Sequence, residues 1–371
     1  DEWQWHHHST RLDFSARYDA TVTCGRVSYL MGLRGPTTSH DTACSASIVA
    51  LSTAHHMMRA RASIGGWMVQ VQPDSMTCKG ALVGSPSLYL NPMGWVGECS
   101  AQMLGPLGRT HFSEARADGF VRGEGAAMMG ITWGLSGDEN AAERYAILTG
   151  SALNQDGRSA TLTAPNGPAQ QECGRISMRE AQVKASEVRY HECHGTGTAL
   201  GDPIELGALR AIYTKGRDLP ILIGGVKSNS GHLEACAGLA GVCKILGTLA
   251  TQALNPNVHL HCLNPHIDDV GFPAEWPSEV TDIGYNSISC GLSSFGFGGT
   301  NSRADFWGAA SRGCHRVVQQ VLMDDSVYLS KIVPHAAANS EEGRCTALES
   351  SFESYKEALQ TDSDLSPIEL E

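Results

Sequence analysis

His40-Asp41-Thr42-Ala43-Cys44-Ser45-Ala46-Ser47, running on into Ile48-Val49-Ala50-Leu51, sets one cysteine among small residues where a turn passes into an apolar helix. Small side chains pack a tight turn. A cysteine in the first turn of a helix faces unpaired N–H groups and the positive end of the helix dipole, which favour the thiolate. A backbone N–H at that turn can also hold a developing oxyanion. A buried structural cysteine beside an aspartate N-cap has the same local sequence, and this stretch alone leaves the two readings equal.

Outward from Cys44, between Gly25 and about Gly308, short apolar runs alternate with helical patterns, which is the signature of α/β layering. Ala81-Leu82-Val83-Gly84, Tyr145-Ala146-Ile147-Leu148-Thr149-Gly150 and Ile221-Leu222-Ile223-Gly224 read as buried strands ending in glycine. Helical periodicity is clearest over residues 45–60, 203–213 and 233–250. The acidic turn Asp138-Glu139-Asn140 separates two expected halves, 1–140 and 141–309, and residues 62–79 read as a surface insertion. Residues 310–371 read as a linker or docking tail, with one short helix over 348–359.

Composition narrows the class. A chain of 371 residues, 42% hydrophobic and 18% charged, has the apolar side chain for a sizeable core, which excludes a disordered chain. Its 41 glycines suit an α/β enzyme with many tight turns better than a helical bundle. With 27 Lys and Arg against 39 Asp and Glu, the net charge of −12 argues against a nucleic-acid binder. The 12 cysteines are spread from Cys24 to Cys345 without a CxxC pair, so neither a zinc ribbon nor a disulfide scaffold is expected. Free thiols point to a reducing, cytoplasmic setting, with an organelle left open. The best candidate membrane span, 238–254, is broken by Lys244, and no span is expected. The first residues show no initiator methionine and no apolar signal segment.

Three further stretches place reactive groups at turns. In His191-Glu192-Cys193-His194-Gly195-Thr196-Gly197-Thr198-Ala199-Leu200-Gly201-Asp202-Pro203-Ile204-Glu205, His194 ends a strand and a Gly/Thr turn leads into a helix. Its glycines are one residue out of step with a dinucleotide fingerprint. In Lys227-Ser228-Asn229-Ser230-Gly231-His232-Leu233-Glu234, the lysine, histidine and glutamate are spaced to converge at one helix N-terminus, and no P-loop is present. In Ser293-Ser294-Phe295-Gly296-Phe297-Gly298-Gly299-Thr300-Asn301, glycines flank a phenylalanine pair, as suits a close backbone approach or an aromatic gate. Cysteine–histidine sets serve thiol proteases, thiolases and condensing enzymes. Two histidines without an obvious asparagine partner favour the last.

Taken in order, these stretches resemble the β-ketoacyl synthase domain of polyketide and fatty acid synthases, from about Tyr18 to Asn301. The resemblance rests on DTACS at 41–45, HGTGT at 194–198, GDPIE at 201–205, KSNSGHLEA at 227–235 and SFGFGGTN at 294–301. Cys24-Gly25-Arg26-Val27-Ser28-Tyr29, Gly32-Leu33-Arg34-Gly35-Pro36 and Asp118-Gly119-Phe120-Val121-Arg122-Gly123-Glu124-Gly125 resemble further family stretches. Asn154-Gln155-Asp156-Gly157 with Thr163-Ala164-Pro165-Asn166-Gly167 leans toward the polyketide branch.

The resemblance implies an α/β thiolase-like fold, two αβαβα halves in five layers, in a homodimer. It implies a ketosynthase of polyketide biosynthesis: decarboxylative Claisen condensation of a cysteine-bound acyl chain with a malonyl-type extender on acyl carrier protein. A fatty-acid-elongating 3-oxoacyl synthase and a non-catalytic condensing-enzyme partner are the alternatives. Cys44 would be the nucleophile. His194 and His232 would polarise the extender's carbonyl and stabilise the enolate, and Lys227 would bridge the catalytic groups together with Glu234. The N–H groups of Cys44 and Phe297 would form the oxyanion hole, with Phe297 as gate. Thr196, Thr198, Asn229, Phe295 and Gly298 would bind substrate. No metal or bound cofactor is implied, the substrates being carried on the phosphopantetheine of acyl carrier protein.

Departures from the family pattern carry their own expectations. Asn301-Ser302-Arg303 followed by Ala304-Asp305-Phe306-Trp307 stands where the family has Asn-Ala-His and an aliphatic strand, which leaves the last core strand open. Ser85-Pro86 replaces a glycine-rich strand end, and Ala46 a serine beside the nucleophile. Only 43 residues precede Cys44, so the first half is expected to be incomplete by on the order of 60–100 residues. Such a chain alone is expected to be poorly soluble or to dimerise non-natively.

Overall fold

The computed structural model describes residues 20–58, 61–64, 67–70, 78, 80–90, 92–132, 145–285 and 287–309. The expected acidic boundary turn at 138–140 and the tail 310–371, with the short helix expected at 348–359, lie outside them.

Helix α1 (Ala20–Leu30) precedes a single 3-10 turn, Ala43–Ser45, that feeds helix α2 (Ala46–Met58). Ile48, Val49, Leu51, Ser52 and His55 of α2 are all buried. A helix covered on so many sides lies between layers rather than on a surface. Residues of the expected 62–79 insertion contribute to an antiparallel pair, β1 (Arg61–Ile64) with β2 (Trp67–Gln70). Strands β3 (Gly80–Ser87) and β4 (Gly125–Thr132) pair antiparallel along their whole length. Val83, Ser85 and Ser87 of β3 are buried while Leu82 is exposed, the two-residue alternation of a sheet covered on one face. Pro86 suits a strand that, among the described residues, pairs on one side only. Between these strands lies helix α3 (Met93–Ser100).

The second sheet has six strands: β5 (Ile147–Gln155), β6 (Val188–Glu192), β7 (Ile221–Gly224), β9 (Ala274–Glu275), β11 (Ser287–Phe295) and β12 (Thr300–Ala309). Their spatial order is β5-β12-β11-β6-β7-β9. The β11–β6, β6–β7 and β7–β9 pairs are parallel, and β12 runs antiparallel to both its neighbours. A strand without polar residues needs cover on both faces. In β7, Ile221 and Ile223 enter one apolar core and Leu222 the other. Helices α4 (Gly167–Ala181) and α5 (Gly201–Tyr213) cover the first face. Helices α2 and α6 (Ala237–Thr251) cover the second, and β3–β4 pack on their far side. The order is therefore helices, sheet, helices, sheet: four of the expected five layers are seen among the described residues. Two short strands, β8 (Ala253–Leu254) and β10 (Thr281–Asp282), pair alongside.

Residues Glu234–Thr251 have the length and apolar composition of a membrane span, but half of that stretch is buried in this core. Lys244 within it is buried, 3.5 Å from the buried Glu192 carboxylate. Helix α4 has a start signal that periodicity alone does not reveal: the Asn166 side chain accepts from the Ala169 N–H (3.3 Å), and Pro168 occupies the first turn.

The strand left open by the sequence is formed: β12 pairs with β11 and β5 from Thr300 onward. Its charged residues are accommodated because Arg303 and Asp305, two apart, share a face. Both are buried, and Arg303 Nη2 donates to Asp305 Oδ1 (2.7 Å) and to Tyr213 Oη (2.6 Å). Ser177 Oγ on α4 donates to Asp305 Oδ2 (2.6 Å). The opposite face carries Ala304 and Phe306 into the core between sheet and helices.

Candidate active site

The 3-10 turn that carries Cys44 is shaped by its small neighbours. Ala43 takes a left-handed backbone (φ +52°), its N–H donating to Asp41 Oδ1 (3.3 Å), and Ser45 Oγ donates to the Thr42 carbonyl (2.9 Å). Ser294 Oγ, at the end of β11, donates to the Cys44 carbonyl (2.7 Å). The turn that follows β11 then presses on the cysteine turn. A Cβ on Gly296 would collide with the Thr42 carbonyl and stand 2.9 Å from Ser45 Oγ, so only glycine fits.

His232 is fully buried, with Nε2 3.0 Å from Cys44 Sγ. Its backbone is pinned at both ends: the N–H donates to Val121 O (2.6 Å), and the carbonyl accepts from Gly123 N (2.9 Å). Its Nδ1 accepts from the Glu234 N–H (3.0 Å). In a neutral imidazole the other nitrogen then carries the proton. That proton lies on Nε2 and is aimed at the cysteine sulfur. His194 repeats the arrangement, its Nδ1 accepting from the Phe295 N–H (3.2 Å). The two rings meet edge to face, 5.7 Å between centroids. Burial first, and then the Lys227 charge, hold both imidazoles well below their ordinary pKa, so both are neutral donors.

Two expectations are corrected here. A cysteine at a helix start was expected to be a thiolate; instead burial pushes the Cys44 thiol up to about 12, with Lys227 pulling it the other way. Desolvation of the sulfur outweighs the partial charge of one short turn. Lys227 was expected to act with Glu234. The buried Lys227 ammonium donates instead to the His194 carbonyl, and the Glu234 carboxylate pairs with Arg122 Nε at 2.6 Å. Burial lowers the Lys227 pKa, and the charges of Cys44, Glu205, Glu192 and Asp202 oppose that shift.

Asp202 and Glu205 are site residues absent from the expected set. Glu205 accepts from the N–H of His194 (2.7 Å) and of Gly195 (2.9 Å), one per carboxylate oxygen. Asp202 accepts from Gly197 (3.0 Å) and from Ser113 (2.8 Å). Together they hold the His194 turn against the 110–114 segment. Burial raises both carboxyls, Asp202 to about 7. The signal was their fixed place behind the histidine, in Gly201-Asp202-Pro203-Ile204-Glu205.

Of the expected substrate-binding residues, Thr196 is buried and its hydroxyl lies 3.1 Å from that of Thr198, which accepts from Gly201 N–H. The Phe295 ring lies 5.5 Å from His194. Phe297 is exposed (56%), and so is Gly298, at the tip of the β11–β12 turn. Asn229 is also exposed, its amide donating to Pro256 O (3.3 Å). Cys44, His194, His232 and Lys227 thus come together, with Phe295 beside them. His191, Cys193 and Glu205 also cluster, their ligand atoms within 4.8 Å. Both Glu205 oxygens already accept backbone N–H groups, and the His191 nitrogens lie beside Ser293 Oγ (3.1 Å) and Tyr213 Oη (3.3 Å).

A cysteine turn, two neutral imidazole donors and a buried ammonium can accept an acyl group on sulfur and stabilise negative charge forming on a nearby oxygen. Residues 4–132 match the family described as Beta-ketoacyl synthase, N-terminal domain, and residues 145–261 match its C-terminal domain. A phenolphthiocerol/phthiocerol polyketide synthase chain of Mycobacterium tuberculosis is 39% identical over 291 residues, 76% of this chain and 14% of that protein. An erythronolide synthase of Saccharopolyspora erythraea is 38% identical over 292 residues, 76% of this chain and 8% of that protein. Among solved structures, the ketosynthase from module 6 of the bacillaene synthase of Bacillus subtilis superposes with a TM-score of 0.71 at 32% identity. That match covers 79% of this chain and 50% of the other. The fold is therefore thiolase-like. This chain spans less than a fifth of these curated relatives and about half of the solved ketosynthase.

Proposed function

Because this chain belongs to the β-ketoacyl synthase family in its polyketide-synthase form, we propose that it carries the decarboxylative condensation step of polyketide assembly. Cys44 sulfur attacks the thioester carbonyl of an acyl chain on carrier protein. The new C–S bond forms as the carrier's C–S bond breaks, and the carrier thiol leaves with the proton that Cys44 loses. A malonyl-type thioester then loses CO2, and the electron pair of the broken C–C bond becomes an enolate. The enolate oxygen accepts from Nε2–H of His194 and His232. Its carbon attacks the acyl carbonyl on Cys44, and the cysteine sulfur leaves as a thiolate that takes a proton from solvent to restore the thiol. Neutral donors serve this step best, because they gain most where charge appears in a water-poor site.

The observation that carries the reading is the pair of imidazoles whose Nδ1 atoms are each occupied by a backbone N–H, one of them with its Nε2 3.0 Å from Cys44 Sγ. Cys44, His232, His194 and Lys227 linked in a chain of contacts favour a working site over a non-catalytic partner. Acyl carrier protein is the proposed partner, the phosphopantetheine arm the proposed carrier of both substrates, and a homodimer the proposed assembly. Cys44 and Phe297 N–H groups are the proposed oxyanion hole, and Thr196, Thr198, Asn229 and Gly298 the proposed path of the arm. A cytoplasmic setting accords with the ten described cysteines, all of which are free thiols.

Incubation with an acyl-carrier-protein thioester should acylate one cysteine, mapped by peptide mass spectrometry to Cys44. His194→Ala and His232→Ala should each slow malonyl-thioester decarboxylation by ~10²–10³. Label spread over several cysteines, or decarboxylation unchanged in both variants, would overturn the assignment.

A further inference from the structure

The N–H that occupies His232 Nδ1 belongs to a residue in an unfavourable backbone conformation. Glu234 has φ +43°, in the left-handed region that glycine adopts freely and side chains disfavour. It sits at the start of the 3-10 turn Glu234–Cys236. Its carboxylate is gripped by Arg122, whose side chain is 2% exposed, with the Tyr89 hydroxyl beside it. Arg122 Nε lies 2.6 Å from Glu234 Oε1 and 3.2 Å from Glu98 Oε2. The guanidinium carbon stands 3.7 Å over the Tyr89 ring and 5.0 Å from the Trp95 ring, which fixes the fork in place. Arg122 also forms a parallel backbone bridge with His232 itself, and Tyr89 Oη donates to the His232 carbonyl (3.3 Å). One arginine therefore touches both the histidine's backbone partner set and the carboxylate of the residue that fixes the histidine's proton.

We propose that Arg122 is a positioning residue: by gripping the Glu234 carboxylate it holds that residue in a left-handed turn, and so keeps the His232 proton on Nε2, facing Cys44. This rests on the reading of His232 as a donor in decarboxylation. Without the grip, Glu234 relaxes to φ below zero and its N–H leaves Nδ1. The ring proton is then free to move to Nδ1, which turns Nε2 from a donor into an acceptor.

The test uses the whole chain and two readouts: histidine ring 15N NMR, with the His232 signals assigned by their loss in His232→Asn, and malonyl-thioester decarboxylation. In the native protein His232 should carry its proton on Nε2. Arg122→Met should give a mixture of tautomers and slow decarboxylation by about 10- to 100-fold, a fraction of the loss of a whole donor, with KM within about twofold. Arg122→Lys should recover most of that loss. Glu234→Ala and Glu234→Gly both delete the carboxylate, but only glycine adopts the left-handed backbone without strain. Glu234→Ala should therefore behave like Arg122→Met, whereas Glu234→Gly should keep the Nε2 proton and most of the rate, and adding Arg122→Met to it should cost nothing further. This alanine–glycine contrast decides the matter even if Arg122→Met does not fold. Equal loss in both Glu234 variants, or an unmoved tautomer in folded Arg122→Met or Glu234→Ala, would overturn the proposal. A tautomer that moves as expected in a protein that never decarboxylates malonyl thioester would instead refute the ketosynthase reading and leave the role of Arg122 standing.

Discussion

Replacing Arg303 by methionine asks how a strand with two buried charges holds the catalytic hairpin. Arg303 is 1% exposed and gives Asp305 two hydrogen bonds, from Nε at 3.3 Å and Nη2 at 2.7 Å. In Arg303→Met the Asp305 carboxylate, 2% exposed, would keep only the Ser177 hydroxyl at 2.6 Å. Leaving one member of a buried pair uncompensated costs about 3–5 kcal/mol, a large share of a typical net stability of about 5–15 kcal/mol. At a urea slope of ~3 kcal/mol/M the midpoint should fall by about 1–2 M. Removing both charges, in Arg303→Met with Asp305→Leu, should recover most of the loss, because apolar residues of similar volume replace a buried pair at little cost. Urea unfolding of the full chain, followed by circular dichroism, measures both variants. A single variant that loses less than about 1 kcal/mol, or a double variant no more stable than the single, would show that the pair does not carry the strand.

Two smaller perturbations test the site from other directions. Gly296→Ala puts a methyl group against the Thr42 carbonyl, whereas Gly207→Ala, on the exposed side of helix α5, meets nothing within 4 Å. Cys44 acylation should fall by about tenfold or more in the first, as overpacking of about 1–3 kcal/mol displaces the nucleophile turn, and should stay unchanged in the second. Equal rates would show that the Gly296 turn and the cysteine turn are not in register. Asp202 has its folded pKa raised by burial to about 7, so its contribution to stability is full below its ordinary value near 4 and is lost as pH rises through 7. The stability difference between the native chain and Asp202→Asn should shrink by about 2–3 kcal/mol between pH 5 and pH 8. A difference that stays constant or grows with pH would contradict a buried, proton-holding carboxyl.

By itself the sequence determined the chemistry and its order along the chain. Cys44, His194, Lys227 and His232 were legible because each sits in a short turn whose glycines and small residues are local requirements. The α/β class was legible because the apolar period of strands such as Ile221–Gly224 and of helices such as Gly201–Tyr213 is a local property. Tertiary structure decided everything that depends on what surrounds a group. It made the Cys44 thiol neutral, since desolvation outweighs a short turn's dipole. It gave Glu234 to Arg122, 112 positions away in the chain, rather than to Lys227. It turned Asp202 and Glu205 into the braces of the His194 turn, because their backbone partners converge only when the turn folds back. It made a core strand of Thr300–Ala309, since Arg303 and Asp305 neutralise each other on one face while Tyr213 and Ser177 arrive from helices far away in the chain. Periodicity and motif spacing record the covalent neighbourhood of a residue. Charge state and pairing are set by burial and by partners that the linear chain does not order.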